Sequence, residues 1–136
     1  GMSLSGTTFN CTIDTPAEVG LGNLSSSGNA LSGSFTATGD ITAYSDIALK
    51  KNLSPIDNAL DKVLSLTGYE FDWKKNAIDR IGLTDRHQVG LVAQEIEKVL
   101  PEAATHTDGH MGINYLKVIP LLIESIKELK SQLDSK

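Results

Sequence analysis

The chain has 136 residues, 40% of them hydrophobic but only 5% aromatic, and a formal net charge of −5, which suits one compact domain plus an extended piece rather than two full cores. The charge is uneven: residues 1–44 hold Asp14, Glu18 and Asp40 with no Lys or Arg, so all twelve basic residues lie in 45–136 against fourteen acidic ones. No basic cluster exceeds the pairs Lys50-Lys51 and Lys74-Lys75 and no apolar run has the length of a membrane span, which argues against nucleic-acid and membrane partners.

Gly1-Met2 reads as an expression scar ahead of a fragment of a longer protein, and Cys11, the single cysteine, excludes an intrachain disulfide framework or a multi-cysteine zinc site. Residues 1–44 hold fourteen Ser/Thr and seven Gly among scattered apolar residues. The stretch Ala30–Thr38 is β-favouring, broken by glycine and followed by the turn signal Gly39-Asp40, so short strands are expected. Apolar side chains at this density cannot offset the entropy of ordering one chain, so such strands need a core shared between chains, the alternative being a disordered linker.

A charged, helix-forming region opens at Ser45-Asp46-Ile47-Ala48-Leu49-Lys50, where a serine stands five positions before a lysine at the compositional boundary. The pair suggests self-cleavage, since a serine hydroxyl needs a base to attack a carbonyl. A lysine can be that base where burial or nearby positive charge favours the neutral amine. The plain reading is a helix-start serine and a solvated lysine.

Ser54 before Pro55 reads as a helix cap and first helical position, with Ile56, Leu60, Val63 and Leu64 as the apolar stripe of a helix that ends before Gly68. Tyr69-Glu70-Phe71-Asp72-Trp73 alternates rings and carboxylates, which predicts a strand with its aromatic face on a core and Glu70 and Asp72 on the surface. Residues 74–87, mostly polar around Gly82, predict a hairpin or mobile loop. Gln88–Val92 is β-like, with Gly90 allowing close backbone approach, and a short helix from about Ala93 stops at Pro101. His106 and His110 are four apart, but Thr107-Asp108-Gly109 between them reads as a turn, so no metal site and no cofactor is expected.

The last segment carries the clearest pattern. Tyr115, Ile119, Leu122, Ile126, Leu129 and Leu133 alternate in steps of four and three, a heptad seam on a helix of about 115–135. Glu124, Lys127, Glu128, Lys130 and Asp134 supply its wet face, with Glu124–Lys127 and Lys130–Asp134 as one-turn pairs. Pro120 starts or kinks the regular helix. A seam of this length implies partners, the alternative being packing on its own domain.

Taken in order, the Ser45–Lys50 box, Tyr69–Trp73, Val89-Gly90-Leu91-Val92-Ala93-Gln94-Glu95 running on to Pro101, and Tyr115–Leu129 resemble one family over roughly residues 45–133. It is the carboxyl-terminal intramolecular chaperone auto-processing domain of bacteriophage tail spikes, tail fibres and neck appendages. The resemblance implies an α+β fold in an intertwined homotrimer: 1–44 as the end of a β-structured shaft, 45–136 as a small mixed α/β chaperone domain with a coiled-coil-like terminal helix. It implies Ser45 as nucleophile and Lys50 as general base, a cut beside Ser45 at one of the bonds among Tyr44, Ser45 and Asp46, and oligomerisation through Ile119, Leu122, Ile126, Leu129 and Leu133. The partners implied are two further copies and the upstream spike or fibre region. Assembly would take place in the host cytoplasm, leaving the upstream product in the virion tail and the chaperone domain released. Two other functions fit the same residues: a non-catalytic trimerisation cap, and a receptor- or glycan-binding tip stacking ligands on Tyr69, Phe71 and Trp73.

Overall fold

A computed structural model describes residues 34–136; Cys11 and the strands expected before residue 34 lie outside the described residues. The chain divides into Gly1–Thr36 and Ala37–Lys136, and every element named below belongs to the second unit. Residues 34–37 form no strand, and a bend occupies Thr38–Gly39, so the part of the expected β stretch that is described carries no ladder.

After a single 3-10 turn at Ile47–Leu49 come α1 (Ala59–Leu64), β1 (Tyr69–Phe71), α2 (Lys75–Ile81), β2 (Gln88–Gly90), α3 (Ala93–Val99), β3 (Ala104–Thr107), β4 (His110–Ile113) and α4 (Val118–Asp134). The strands make two antiparallel pairs, β1 with β2 and β3 with β4, giving a small mixed α/β unit. In β1 the expected alternation holds: Tyr69 and Phe71 are half-buried and Glu70 is exposed. The strand stops before Trp73, whose ring meets Phe71 edge-on with centroids 4.9 Å apart. The β3–β4 turn is Asp108-Gly109, both with positive φ (52° and 76°), the backbone that a two-residue hairpin of right-twisted strands requires.

Two expectations are corrected. The first helix starts at Ala59, not at Pro55, and Asn58, rather than Ser54, precedes it in the left-handed region at φ 53°. Its free N–H groups are met from far along the chain: Glu128 accepts from Ala59 N–H at 2.9 Å and from Leu60 N–H at 2.8 Å. Glu128 therefore caps α1 instead of lying on the wet face of α4. Residues 74–87 are not a hairpin or loop throughout, because α2 forms there and ends at Gly82, whose φ of 78° supplies the left-handed helix stop.

The core has two connected patches. Ile96 of α3, Ala103 and Val118 are buried together, with Leu66, Leu91, Leu100, Ala104 and Ile113 packed around them. Ala59 and Leu60 of α1 and Leu121 and Ser125 of α4 are also buried; the Ser125 hydroxyl donates to Leu122 O at 2.8 Å, so its burial leaves no polar group unsatisfied. Glu128→Ala leaves two α1 donors unmet, and is expected to lower unfolding free energy by about 1–2 kcal/mol in urea denaturation.

Gly90 allows the close approach expected of it. A Cβ there would stand 2.8 Å from the Tyr115 hydroxyl, which accepts from Leu91 N–H at 3.1 Å. Gly90→Ala is expected to cost about 1–3 kcal/mol by overpacking. In a thermal-melt double-mutant cycle, adding Tyr115→Phe should return part of that loss, because the clashing oxygen is gone. Opposite Gly90 in the β1–β2 register, Tyr69 donates its hydroxyl to Glu95 at 2.6 Å. This bond raises the phenol's pKa above the ordinary 10.0, so the stability it contributes is present below pH 10.0 and is lost as pH rises through the higher folded value.

In α4 the Glu124–Lys127 and Lys130–Asp134 pairs form at 3.2 Å and 2.7 Å. The helix begins at Val118, two residues ahead of Pro120. Pro120 is thus its third residue, where the missing N–H would have had no partner within the helix. Val118, Leu121 and Ser125 face the chain's own domain, whereas the seam residues Ile119, Leu122, Ile126, Leu129 and Leu133 are 43–65% exposed. At 100° per residue the seam centres about a quarter-turn from the buried face. One helix therefore presents two apolar faces, of which its own domain covers one.

Candidate active site

The segment before α1 builds the site from local geometry. Asp46 is extended (φ −66°, ψ 133°) and its Oδ1 accepts from Ala48 N–H at 2.8 Å. The Asp46 carbonyl accepts from Leu49 N–H and the Ile47 carbonyl from Lys50 N–H, both at 3.0 Å. These bonds close a 3-10 turn over Ile47–Leu49. A tight turn of this kind reverses the chain enough for a lysine at the fifth position to reach back.

Lys50 Nζ stands 2.7 Å from Ser45 Oγ. The amine donates when charged, and the same contact lets a neutral amine accept the hydroxyl proton. Lys50 makes no ion pair among the described residues, so no carboxylate competes for the amine. A serine hydroxyl and a lysine amine thus meet within one protomer, a spacing compatible with activation of a hydroxyl by an amine.

The pair is wet, however. Ser45, Asp46 and Lys50 are exposed, as are the apolar neighbours Tyr44 (97%), Ile47 (73%) and Leu49 (71%). Water screens an exposed pair and solvates the charged amine, and both effects weaken base catalysis.

Two of the three histidines are paired away from the site. His87 Nδ1 lies 2.8 Å from Asp72 and His106 Nε2 lies 2.7 Å from Glu97. His106 and His110 sit on the two strands of the β3–β4 hairpin, and among the described residues no three His, Cys, Asp or Glu side chains gather as a metal site.

A family model described as chaperone of endosialidase matches residues 45–105, starting on Ser45 itself. That segment belongs to the chaperone of endosialidase family. The family also carries a peptidase designation, which suits serine-type self-processing. The chain is 42% identical over 93 residues to long tail fiber protein Gp37 of Enterobacteria phage K3, covering 65% of this chain and 7% of that protein. It is 38% identical over 109 residues to the corresponding protein of Enterobacteria phage M1, covering 71% and 43%. Myelin regulatory factor homolog 1 of Caenorhabditis elegans is similar at 29% identity over 113 residues, 78% of this chain and 12% of that one. The chain therefore spans less than half the length of each of these relatives.

Two working residues escaped the sequence reading. Asp46 stands in the sequence as part of the expected cleavage site, whereas its bond to the N–H two positions on makes it the cap of the turn. Glu128 carried no signal, because its partners Ala59 and Leu60 are 69 and 68 positions away.

Proposed function

We propose that this domain is a trimerising chaperone for an upstream phage tail fibre or spike, and that it releases itself by autoproteolysis beside Ser45. The 2.7 Å contact between Ser45 and Lys50, placed at the first residues of the family match, is the observation that carries the reading. Similarity to tail fibre proteins supports a virion-assembly role, with the upstream fibre region as the segment being chaperoned.

In the reaction Ser45 Oγ adds to a neighbouring carbonyl while its proton passes to Lys50 Nζ. Collapse of the tetrahedral species expels the amide nitrogen, which takes the proton back from Lys50. Attack on the Tyr44 carbonyl closes a five-membered ring within one residue and leaves an ester that water then hydrolyses. Cleavage of the Ser45–Asp46 bond instead uses a neighbouring chain or a water as the attacking partner. The released fragment distinguishes the two routes: it begins at Ser45 in the first and at Asp46 in the second.

Since Ser45 Oγ and Lys50 Nζ already meet within one protomer, assembly would act by covering the pair rather than by building it. Three chains meeting through the α4 seam would lower the search cost of a slow-folding β shaft by raising effective concentration. Cutting the clamp away afterwards leaves the product kinetically trapped. Burying the exposed part of five seam side chains contributes roughly 1 kcal/mol each, which only just meets the lower end of the about 4–15 kcal/mol cost of association. Other surfaces must add to the seam.

Intact-mass spectrometry of freshly made protein tests the proposal. Two fragments splitting beside Ser45 are expected, and a chain that stays whole at every age overturns self-cleavage and leaves the trimerisation cap. Asp46→Ala, which opens the 3-10 turn, should slow cleavage by between about tenfold and a hundredfold through misplacement of Lys50. Asp46→Asn keeps an accepting oxygen and should stay close to wild type in the same assay.

A further inference from the structure

We propose that residues 41–53 of one copy of this chain, the arm bearing Ser45 and Lys50, dock across an aromatic groove on a second copy, so that the dyad is closed off from water only between copies. The inference rests on the assembly reading above and names the surface that covers the site.

The groove is an open cavity of about 700 Å³ between the β1–β2 ribbon, the start of α3, and β4. Phe71, Trp73, Val92, Met111 and Tyr115 are among the side chains that line it, and no residue of the arm does. The arm is its counterpart in polarity. Ile41, Tyr44, Ile47, Leu49 and Leu53 are 63–97% exposed, and residues 40–46 form no regular element that would keep them from following a groove. Apolar side chains displayed in such a row mark a surface that binding completes.

Two observations make a second copy the occupant. Tyr115, in the 3-10 turn just ahead of α4 and one heptad step before Ile119, lines the groove, so a copy seated along the α4 seam is brought to the groove's mouth. The seam is also too small alone: its five side chains, 43–65% exposed, offer on the order of a few hundred Å² per chain, against about 800 Å² per partner in a standard stable interface. Arm and groove together supply apolar area of the missing kind. Docking would also shield Tyr44 and the dyad from water, the condition that favours a neutral amine.

Two singly substituted chains of different tag length, Tyr44→Cys and Val92→Cys, each in a Cys11→Ser, Ser45→Ala background that removes the native thiol and keeps the chain joined, are mixed, refolded together and treated with a short bis-maleimide. Val92 precedes α3 without a side-chain capping bond, so the replacement breaks no capping interaction. A mixed-tag species is expected in at least about tenfold excess over a Tyr44→Cys and Leu64→Cys control, because docking raises the effective thiol concentration; Leu64 is exposed outside the groove. Equal yields at positions 92 and 64 overturn the proposal, as does a Tyr44→Cys, Val92→Cys double variant that links only within its own chain. Light scattering on the same samples separates the two readings: oligomers without the mixed-tag species sink the groove alone, whereas a stable monomer sinks the assembly reading and this proposal with it.

Discussion

Ser45→Ala and Lys50→Ala are each expected to leave the chain whole, slowing cleavage by on the order of a thousandfold or more while oligomer size is unchanged. The double variant should be no slower than either single one, because nucleophile and base act as a unit. Lys50→Arg should not rescue, since a guanidinium stays protonated and cannot accept the Ser45 proton. Both side chains are exposed and their one described side-chain hydrogen bond is to each other, so the substitutions should leave the protomer's melting temperature within about a degree. Intact-mass time courses beside thermal melts check both halves: a loss of cleavage accompanied by unfolding would point to a structural role.

The second large effect concerns the uncovered face of α4. Ile126→Asp with Leu129→Asp is expected to turn the assembly into folded monomers, because those positions are 65% and 45% exposed in the protomer and a carboxylate at a dry seam must be desolvated. The loss of two seam contacts at roughly 1 kcal/mol each, with a desolvation penalty of about 1–3 kcal/mol for each carboxylate added, weakens association at least about a thousandfold. Leu121→Ala, on the covered face and 0% exposed, should instead destabilise the protomer by about 2–5 kcal/mol. Sedimentation and urea denaturation on the two variants separate the faces: if the seam double variant unfolds and Leu121→Ala merely dissociates, the assignment of faces is reversed.

The legible parts of this chain were those set by local pattern. Alternation placed Tyr69 and Phe71 on one side of β1 and Glu70 on the other, Pro101 marked where α3 had to stop, and positive-φ residues Asp108 and Gly109 made the hairpin turn. The long terminal helix was legible from its apolar spacing, and the structure adds that Val118, Leu121 and Ser125 form a separate inward face. The Ser45–Lys50 spacing was visible as a candidate, and the 3-10 turn that joins the pair came from an Asp46 cap one residue away. What failed was set at a distance or by weak signals. The start of α1 follows from a carboxylate on α4, which no window around Pro55 contains. Helix α2 has only Ala77, Ile78 and Ile81 as apolar positions, and a glycine such as its stop at Gly82 marks a loop as readily as a helix end.

Cleavage beside Ser45 is expected to be switched on by assembly. The most direct measurement is refolding from denaturant over a dilution series, following intact mass and oligomer size together in each sample. The chain should remain whole while monomeric, and cleavage should begin with assembly, rise with protein concentration, and release a fragment beginning at Ser45 or Asp46. An assembled chain that never cleaves, or a dilute monomer that cleaves as fast as the assembly, would contradict it.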